Sequence, residues 1–579
     1  MKKVNPPLIS SFLALDIGGT WIKGTVVKET FIKSDLNQLI SVKVKSPLEL
    51  NAQPKHLTKA LNELITNLQV STKSIKGIGI STPGIVDYNG SKVMGGNPYL
   101  EVLKSETWKK ELETFFKCHV SFINDADAVA IGLSQLGKLK GNKTIGIMPI
   151  GTGVGFSIWR NGRRWRPGKL LPLVGSIITP QGDYNNLASA SNLALLDRDH
   201  DLVEVLLNKN YQKQREQYHL NLLNLIYSAA LLYGLDEVVI SGGLVEAVNV
   251  CNYPLQKVLN RKYPELFTKL DKPLKIIVSE NGNSLQLIGA LALAKAESIA
   301  YQYRKVVPYN KMVTEIPYIK EIQVQNMDSV AIVETMWEAE QRSGEALKNS
   351  LFKISYVVDI VVKKIKEGGR IIYVGAGTSG RIAAIDAVEI PCTFGFPKDK
   401  VLVLISGGIT DAALEIETNF EEDASAVPEM LLLDLCPEDS VIGITASGSA
   451  YYVQSALAFA KSKGAYTVMI RSEITESNES FCDDVIALHS GHEVIAGSTR
   501  MKAGTATKKV LNFISSAVMI KLGKVAGPYM VNMACINTKL IERAVNILKT
   551  LYNLTDNEAL QKLKDCNMEL DKAIKNINF

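Results

Sequence analysis

The pattern of apolar and polar positions divides the chain into two halves of similar design. In the first 300 residues, the apolar runs FLALDIGG, IKGIGIS, KTIGIMPIGTG and EVVISGG alternate with helix-periodic stretches such as PKHLTKALNELITNL. In the second half, RIIYVGAG, VLVLISGG, DSVIGITASG and AYTVMIR are each followed by a helical stretch. Apolar, β-branched runs of this kind are typical of strands buried on both faces of a parallel sheet. The pattern therefore predicts α/β architecture in both halves.

A segment with weak periodicity separates the two halves. Residues 306–327 contain many charges and prolines, which favours a linker between domains. We therefore predict one domain at 1–305, a second at 328–540 and a small helical tail at 541–579. In the tail, Thr555 and Glu558 have the spacing of a capping box.

Composition excludes several classes of function. The net charge is +6 over 579 residues without a basic block, so nucleic acid is not an expected partner. No stretch reaches the roughly 18 apolar residues of a membrane span, and we interpret LALDIGG as a first strand rather than as part of a signal peptide. The seven cysteines form no C-x-x-C pair, which indicates reduced thiols in a cytoplasmic protein.

Three glycine loops follow strand-like runs in the first half. Glycines let the backbone approach an anion closely, and backbone N–H groups can hold phosphate oxygens. An acid at the start of such a loop can hold Mg²⁺ through water. We predict a nucleotide phosphate clamp, although a Gly-Gly hairpin alone explains the first loop equally well. The predicted ATP-binding residues are Asp16, Gly18, Gly19, Thr20, Gly151, Thr152, Gly153, Gly242 and Gly243.

Between the first two loops, FINDADAVA places Asn124 and Asp125 directly after a predicted strand. A carboxylate beside phosphate loops can take the proton of an attacking hydroxyl group. The alternative is an N-cap for the helix that follows. The two roles are compatible.

In the second half, two Ser/Gly loops precede predicted helices. A helix N-terminus with free N–H groups and hydroxyl side chains is an anion site. Gly375, Gly377 and Gly380 also match the G-x-G-x-x-G spacing of dinucleotide sites. A second, similar loop and the lack of a ribose-binding acid favour one sugar phosphate instead. The predicted phosphate ligands in these loops are Gly377, Thr378, Ser379, Ser447, Gly448 and Ser449.

Two carboxylates lie near the end of the first of these helices. Asp386 and Glu389 are three residues apart and so share a helix face. Pro391 predicts a helix end just after Glu389, where the helix dipole disfavours an ionised carboxylate and favours a general acid. A solvated or capping acid is the alternative. A later cluster is mostly surface but offers one candidate general base; its members are Glu415, Glu417, Glu421, Glu422 and Asp423.

The motifs DIGGT, STPGIVD, NDADA, GTGVG, SGG and LIGALALA resemble those of ROK-family sugar kinases, over nearly all of 10–300. The resemblance implies two actin-like lobes with MgATP and a sugar between them. It also implies that Asp125 activates the sugar's 6-hydroxyl and that Asn124 binds the sugar. The chain departs from the family where LLPLVGSIITPQGDYNNLASASNLA lacks the usual Glu-x-Gly-His motif and zinc cysteines. We expect no bound zinc or other resident metal, and either a different sugar or binding without turnover.

The stretch GSTRMKAGT, together with the two Ser/Gly loops, resembles N-acetylmuramic acid 6-phosphate etherases of the sugar isomerase (SIS) fold over about 360–545. The resemblance implies a doubly wound parallel sheet and loss of D-lactate from the sugar's C3, without a cofactor. It implies that Glu389 protonates the departing oxygen and that a second glutamate removes the C2 proton. Glu422 matches that base best, with Glu421 as runner-up. Ser498 and Lys502 then belong to the sugar-phosphate site.

Two departures accompany this resemblance. ETNFEED has two extra residues, and Ser449-Ala450 stands where the family usually has Arg-Thr, which alters the phosphate or lactyl pocket. The helical segment at 315–350, which precedes the region of resemblance, also lacks the sequence motifs that are usual in the family.

The two halves together predict a bifunctional enzyme. The first half would phosphorylate N-acetylmuramic acid, and the second would convert the product to N-acetylglucosamine 6-phosphate and D-lactate. The alternatives are a sugar-phosphate sensor like the vertebrate glucokinase regulator, and an etherase fused to a kinase for glucose or N-acetylglucosamine. We expect amino sugars and their 6-phosphates as ligands, and a homodimer formed through the SIS domain.

Overall fold

The protein is described from a computed structural model. The described residues are 10–29, 39–48, 53–87, 90, 92–95, 98–104, 106–139, 143–160, 163–165, 173–195, 202–262, 274–282, 284–304, 312–318, 323–407, 424–472, 479–532, 535 and 537–577. The chain forms two compact units. The first comprises residues 1–302 and 427–434, and the second comprises 303–426 and 435–579.

The first unit contains two five-stranded sheets with the same connectivity. Its strands are β1 (Ser11–Ile17), β2 (Trp21–Lys28), β3 (Val42–Lys45), β4 (Ile75–Thr82), β5 (Ile85–Val86), β6 (Val93–Gly95), β7 (His119–Asn124), β8 (Thr144–Pro149), β9 (Ser157–Arg160), β10 (Arg163–Trp165), β11 (Ile178–Thr179), β12 (Gly182–Asp183), β13 (Glu237–Ser241) and β14 (Lys275–Val278). The sheet orders are β3-β2-β1-β4-β7 and β10-β9-β8-β13-β14.

In both sheets the first three strands are antiparallel and the remaining pairs are parallel. This repeated arrangement gives the two lobes of an actin-like kinase fold, so the fold predicted for the first half is confirmed. The side chains of the strands are mostly apolar because helices pack on the sheets and bury them. The helices are Pro54–Asn67, Glu106–Phe116, Asp125–Gln135, Tyr184–Leu187, Ala190–Ala194, Leu202–Leu207, Gln212–Tyr233, Gly243–Val250, Leu255–Lys262, Ser284–Tyr301 and Val427–Met430.

The LIGALALA motif has a packing role in this unit. It lies in the helix Ser284–Tyr301, where a Cβ on Gly289 would lie 1.9 Å from the Ala128 carbonyl oxygen. Ala128 belongs to the helix Asp125–Gln135. Only glycine permits so close a backbone approach. The motif therefore sets the position of the helix that begins at Asp125.

The second unit contains a five-stranded parallel sheet. Its strands are β15 (Ile371–Gly375), β16 (Val401–Ile405), β17 (Ser440–Ile444), β18 (Tyr466–Arg471) and β19 (Asp484–Ala487), followed by the short pair β20 (Val525–Ala526) and β21 (Tyr529–Met530). The order β16-β15-β17-β18-β19 is that of a doubly wound fold, which confirms the prediction. The chain runs from β15 to one side and then returns to β17 on the other, so the topological switch point lies between β15 and β17.

Helices pack on this sheet and also form the C-terminal tail. They are Ser329–Lys348, Leu351–Lys366, Gly377–Phe394, Tyr451–Ser462, Lys502–Lys521, Thr538–Tyr552, Asp556–Asp565 and Leu570–Ile577. The last three share an apolar core of their own. The capping box predicted at Thr555 and Glu558 is present. Among the helices that the structure describes, none is long and apolar enough to cross a membrane.

The predicted linker, 306–327, is described in part. Residues 312–318 and 323–327 contain two short 3-10 turns, Val313–Glu315 and Val324–Asn326. The first of these turns contacts the GSTRMKAGT region, since the Gly497 N–H donates to the Thr314 carbonyl oxygen at 2.8 Å. The segment is thus folded against the second unit over this stretch.

Candidate functional site

The predicted kinase residues of the first unit come together where parallel strands end. In the register of the sheet, Asp16 on β1 lies beside Ser81 on β4, and Thr82 lies beside Asn124 on β7. The Ser81 hydroxyl donates to the Asp16 carboxylate at 2.9 Å. Parallel pairing therefore brings residues far apart in sequence to one edge of the sheet.

Two glycine turns face each other at this edge. Gly18 lies in the turn between β1 and β2, where its N–H donates to the Trp21 carbonyl oxygen at 3.0 Å. The hairpin alternative is thus correct as a description of this turn. However, a Cβ on Gly19 would lie 3.4 Å from the Thr152 side chain, in the equivalent turn after β8. The first two predicted phosphate loops are therefore in contact.

The third loop joins the same cluster. Gly242 has a φ of 89° and directly precedes the helix Gly243–Val250. The Leu244 N–H, in the first turn of that helix, donates to the Ile150 carbonyl oxygen at 3.0 Å. Lys23 on β2 forms an ion pair with Glu246 of the helix at 2.9 Å. All three loops thus converge within the first unit.

Asp125 is the first residue of the helix Asp125–Gln135 and faces the second loop. A Cβ on Gly155 would lie 3.1 Å from its Oδ1. Burial, and then the charge of Asp16, raise the pKa of Asp125 to about 7. Burial also raises the pKa of Asp16 to about 6, although the Ser81 hydrogen bond and the Lys23 charge oppose this. A carboxylate with a pKa near neutrality is suited to accept a proton as a general base.

Asn124 is the N-cap of that helix. Its Oδ1 accepts hydrogen bonds from the N–H groups of Ala126 at 3.0 Å and Asp127 at 3.4 Å. Its Nδ2 donates to the Gly84 carbonyl oxygen at 2.8 Å. The capping alternative therefore holds for Asn124, and its contact with a sugar stays a prediction.

Sequence analysis missed Asn185, which holds the second loop in place. Its Oδ1 accepts a hydrogen bond from the Val154 N–H at 2.9 Å. The same oxygen would lie 3.0 Å from a Cβ on Gly153, so the side chain packs directly on the glycine turn. The only signal was its place in the stretch that replaces the missing Glu-x-Gly-His motif.

The residues at this site fit MgATP. Asp16 is close enough to Asp125 for its charge to raise the pKa of Asp125, and carboxylate oxygens are the ligands that Mg²⁺ prefers. The glycine turns place backbone close to where phosphates would bind. Within the described part of the chain, no group of three or more metal-binding side chains lies together. The expected absence of zinc stays a prediction.

In the second unit, the two Ser/Gly loops follow adjacent strands at the switch point. Gly375 at the end of β15 lies in register with Ile444 at the end of β17. Ligands of open α/β sheets bind in the crevice at such a point. A Cβ on Gly375 would lie 2.7 Å from the Gly380 Cα, so the strand and the helix approach closely. Thr378 and Ser379, in the first turn of the helix, are half-buried. The structure thus brings both predicted loops to one crevice edge.

Loop 445–450 is held by its own hydrogen bonds. The hydroxyl groups of Ser447 and Ser449 are 2.5 Å apart. The Gly448 N–H donates to Thr445 Oγ1 at 3.2 Å, and Gln454 Nε2 donates to the Gly448 carbonyl oxygen at 2.8 Å. Ala450 provides no side-chain cap for the helix Tyr451–Ser462. The first N–H groups of that helix therefore have no side-chain acceptor from the capping residue.

The helix that carries Glu389 does not end where the sequence predicted. It continues through Pro391 to Phe394, and Gly395 ends it in the left-handed conformation with a φ of 60°. The Gly395 N–H donates to the Pro391 carbonyl oxygen at 3.0 Å. A glycine C-cap therefore sets the helix end, and the prediction based on Pro391 was wrong. The helix-end argument for Glu389 as an acid fails with it.

Asp386 and Glu389 also have different environments. Asp386 is buried, and its carboxylate accepts hydrogen bonds from the Tyr373 hydroxyl at 2.8 Å and the Ser515 hydroxyl at 3.0 Å. Burial raises the pKa of Asp386. Glu389 is exposed, beside the exposed side chains of Ile385 and Val388. Of the two carboxylates, only Glu389 is exposed to solvent, and its role as the general acid stays a prediction.

Lys502 lies in a buried cluster of its own. The residue is 2 % exposed, and its Nζ donates to the His492 carbonyl oxygen at 2.5 Å. Burial lowers the pKa of Lys502. The Glu493 carboxylate accepts from the N–H groups of Lys502 and Ala503 and so caps the helix Lys502–Lys521. The hydrogen bonds of the described residues do not join Lys502 to either Ser/Gly loop, so its role as a phosphate ligand stays a prediction.

The other predicted residues of this half are placed in part. Ser498 is half-buried in the turn before the helix Lys502–Lys521, where its carbonyl oxygen accepts from the Met501 N–H at 3.2 Å. The predicted base Glu422, the runner-up Glu421 and the rest of the acidic cluster, at 415–423, lie outside the described residues.

Comparisons with known proteins match both halves. The ROK family model matches residues 12–169, and the model of the glucokinase regulatory protein N-terminal SIS domain matches residues 353–461. N-acetylmuramic acid 6-phosphate etherase 2 of Bacillus licheniformis is 38% identical over 261 residues, covering 45% of this chain and 88% of the relative. The etherase of Geobacillus thermodenitrificans is 38% identical over 263 residues, covering 45% and 89%.

Solved structures similar to the chain include a ROK family glucokinase from Streptomyces griseus in complex with glucose and AMPPNP. It is 17% identical with a TM-score of 0.38, covering 49% of this chain and 99% of that one. An inorganic polyphosphate/ATP-glucomannokinase from Arthrobacter is 18% identical with a TM-score of 0.35, covering 49% and 97%.

Proposed function

The chain belongs, through its C-terminal half, to the N-acetylmuramic acid 6-phosphate etherase family and carries an N-terminal ROK domain, and we propose that it is a bifunctional enzyme. The first half phosphorylates N-acetylmuramic acid at O6, and the second cleaves the D-lactyl ether of that product. The observation that carries this proposal is the fusion itself. A sugar kinase site with a general base of raised pKa is joined to an etherase whose family name specifies a 6-phosphate substrate.

In the proposed kinase step, Asp125 takes the proton of the sugar's 6-hydroxyl. The hydroxyl oxygen bonds to the γ-phosphorus, and the bond from that phosphorus to the bridging oxygen of the leaving ADP breaks. MgATP, when bound, supplies the phosphoryl group and neutralises charge on the phosphates. The Gly18 and Gly151 N–H groups bond within their own turns, so the N–H groups of the following residues, 19–20 and 152–153, hold the phosphates. Asp16 is the residue that would hold Mg²⁺.

In the proposed etherase step, the open-chain aldehyde makes the C2 proton acidic. A base, for which Glu422 is our candidate, removes this proton, and the electron pair forms the C2=C3 bond as the C3–O bond breaks. Glu389 protonates the departing lactyl oxygen, and water then adds across the double bond. The Ser/Gly loops hold the 6-phosphate at the crevice throughout. The step needs no cofactor.

We propose that a second copy of the chain completes the etherase site. Glu389 is exposed beside Ile385 and Val388, which are 50% and 61% exposed. A general acid in contact with bulk water works poorly, because water solvates its charged form and competes with substrate. A homodimer through this helix face covers the two apolar side chains and shields the acid. We also place the enzyme in the cytoplasm, since its seven cysteines are free thiols and ATP is its substrate.

A second candidate function is a sugar-phosphate sensor. The match to the glucokinase regulatory protein SIS domain over residues 353–461 favours it, because the same crevice can bind a sugar phosphate without chemistry. Glu389, an acid on the exposed face of the helix that begins at the phosphate loop, favours catalysis instead.

The test is incubation of the wild-type protein with N-acetylmuramic acid and MgATP. The proposal expects ADP, D-lactate and N-acetylglucosamine 6-phosphate in equal amounts. ADP formation with glucose or N-acetylglucosamine but not with N-acetylmuramic acid would replace the proposed order by two unrelated activities. Binding of the 6-phosphate without lactate release would favour the sensor.

A further inference from the structure

The two Ser/Gly loops contain no cationic side chain. Loop 375–380 consists of glycine, alanine, threonine and serine, and loop 445–450 has the same four residue types. Backbone N–H groups and hydroxyls can hold a phosphate, and a guanidinium group adds two parallel N–H donors and a positive charge. A cationic side chain on a neighbouring element of the crevice would therefore strengthen the binding of a phosphate.

Arg471 is a cation placed against loop 445–450. It is the last residue of β18, which pairs in parallel with β17, the strand that leads into the loop. The pairing continues past the strand ends, since the Ser472 N–H donates to the Ala446 carbonyl oxygen at 2.9 Å. A strand ending beside the loop thus delivers the arginine to it.

The Arg471 side chain packs directly under Gly448. A Cβ on Gly448 would lie 3.6 Å from Arg471 Cδ and 3.7 Å from Nη1, and Gly448 has a φ of 83°. Arg471 is 5% exposed. The backbone conformation would therefore strain a larger residue at 448, and the Cβ of that residue would contact the Arg471 side chain. The glycine keeps the positive charge close to the site where the loop presents its serine hydroxyls.

Glu479 pairs with Arg471 and holds its guanidinium group. Arg471 Nη1 hydrogen-bonds the Glu479 carboxylate, and both side chains are almost fully buried. A buried cation requires a partner, and a carboxylate fixes the plane of an arginine fork. Arg471 is thus a preorganised guanidinium group beside the loop, whose charge Glu479 balances in the absence of a ligand.

We propose that Arg471 is a specificity-determining residue whose guanidinium group, held beside loop 445–450, contacts an anionic group of the bound sugar. The inference rests on the proposed etherase function. The anionic group is the 6-phosphate or the lactyl carboxylate, since both present oxygen atoms that an arginine fork binds. In this chain the cation comes from the neighbouring strand, because Ser449 and Ala450 provide none.

The same sheet provides a matched control. Arg370 precedes β15 at the opposite end of the sheet and pairs with Asp439, which is fully buried, at 2.6 Å. Arg370→Met removes an arginine–carboxylate pair of similar kind without touching either Ser/Gly loop. It therefore reports the effect of losing a buried pair on stability alone.

The experiment is calorimetric titration with N-acetylglucosamine 6-phosphate, together with lactate release from N-acetylmuramic acid 6-phosphate. In Arg471→Met we expect the KM for lactate release to rise about tenfold or more, as for loss of a hydrogen bond to a charged group, with a smaller change in kcat. In Arg370→Met we expect wild-type KM and Kd. If Arg471→Met and wild type have the same KM and Kd, the proposal is overturned.

The two ligands distinguish the anionic groups. N-acetylglucosamine 6-phosphate carries the phosphate but no lactyl group. A weaker Kd for this sugar in Arg471→Met identifies the phosphate as the partner. An unchanged Kd combined with a raised KM for the lactyl substrate identifies the carboxylate.

A second variant covers the case in which Arg471→Met does not fold. Glu479→Gln keeps the shape of the pair but leaves Arg471 without its counter-charge, which a bound anion then replaces. We expect the sugar phosphate to raise the melting temperature of Glu479→Gln by more than it raises that of wild type. A smaller rise would overturn the proposal. If wild type neither binds the sugar phosphate nor releases lactate, the proposed function fails and this inference with it, whereas an active wild type with an unaffected Arg471→Met removes the inference alone.

Discussion

The two proposed catalytic carboxyl groups, those of Asp125 and Glu389, have different surroundings. Asp125 is enclosed by its own unit, with Asp16 and the second glycine loop around it, and its pKa is raised to about 7. Glu389 is exposed on a helix face beside Ile385 and Val388. We therefore expect a single chain to form the first site and a second copy of the chain to be needed for the second. This difference predicts that substitutions and dilution affect the two activities separately.

The largest effect is expected when Glu389 is changed to Gln. The variant keeps the shape of the side chain but cannot donate a proton, so lactate release from the 6-phosphate should fall by about 10²–10⁴-fold. ADP formation with N-acetylmuramic acid should be unchanged. Glu367→Gln, an exposed glutamate after the helix Leu351–Lys366, is the control. Lactate release by Glu389→Gln at a rate near wild type would remove Glu389 from the mechanism.

The pH dependence of the two activities should also differ. A base must be ionised to accept a proton, so protonation of Asp125 below its pKa of about 7 inactivates the kinase. The rate of ADP formation should fall about tenfold per pH unit below that value and level off above it. Initial rates between pH 5 and 9 provide the measurement. A flat profile across pH 7 would show that the proton goes elsewhere.

Disruption of the proposed dimer should lower lactate release without changing ADP formation. Val388→Lys places a charge on the exposed face, and an unpaired charge at an interface costs several kcal/mol, so we expect a monomer in gel filtration. Lactate release should fall by at least about tenfold, because Glu389 then stays exposed to water. ADP formation should not change. Leu232→Lys, a 66% exposed position in the first unit, is the control. A dimeric, fully active Val388→Lys would contradict the proposed interface.

The smallest effect concerns the support of the Glu389 helix. Tyr373→Phe removes the hydroxyl that donates to Asp386, leaving a buried carboxylate with one fewer donor. We expect the second unit to lose about 1–3 kcal/mol of unfolding free energy. Urea unfolding followed against Tyr356→Phe, a 48% exposed tyrosine, measures this loss. Equal stability of the two variants would show that the Asp386 network contributes little.

Local sequence patterns predicted the sheets and the loops at their edges well. Apolar runs followed by glycine loops identify strand ends, and parallel strands place their ends at one edge of a sheet. Asp16 and Asp125 could therefore be grouped in the first half, and the two Ser/Gly loops could be grouped separately in the second. The helix end at Gly395 was missed because a proline near a helix C-terminus is a weaker stop signal than a glycine C-cap. The end is set by the left-handed residue that follows.

Other features depend on contacts that no local pattern contains. Asn185 meets Val154 from 31 residues away, and Arg471 reaches Gly448 only because β18 pairs with β17. Lys502 was predicted as a sugar-phosphate ligand from the family resemblance, and the contact of its Nζ with the His492 carbonyl oxygen is likewise not visible in the motif. Register and burial arise from tertiary packing, so these residues could not be assigned from their neighbours in sequence.

The central claim is that the two halves act in order, with the first making the substrate of the second. The most direct test measures D-lactate release by Asp125→Asn from two substrates. With N-acetylmuramic acid and MgATP, the variant should release no lactate, because the sugar is not phosphorylated. With N-acetylmuramic acid 6-phosphate supplied directly, it should release lactate at the wild-type rate. Lactate release from the unphosphorylated sugar by this variant, at a rate near wild type, would contradict the account.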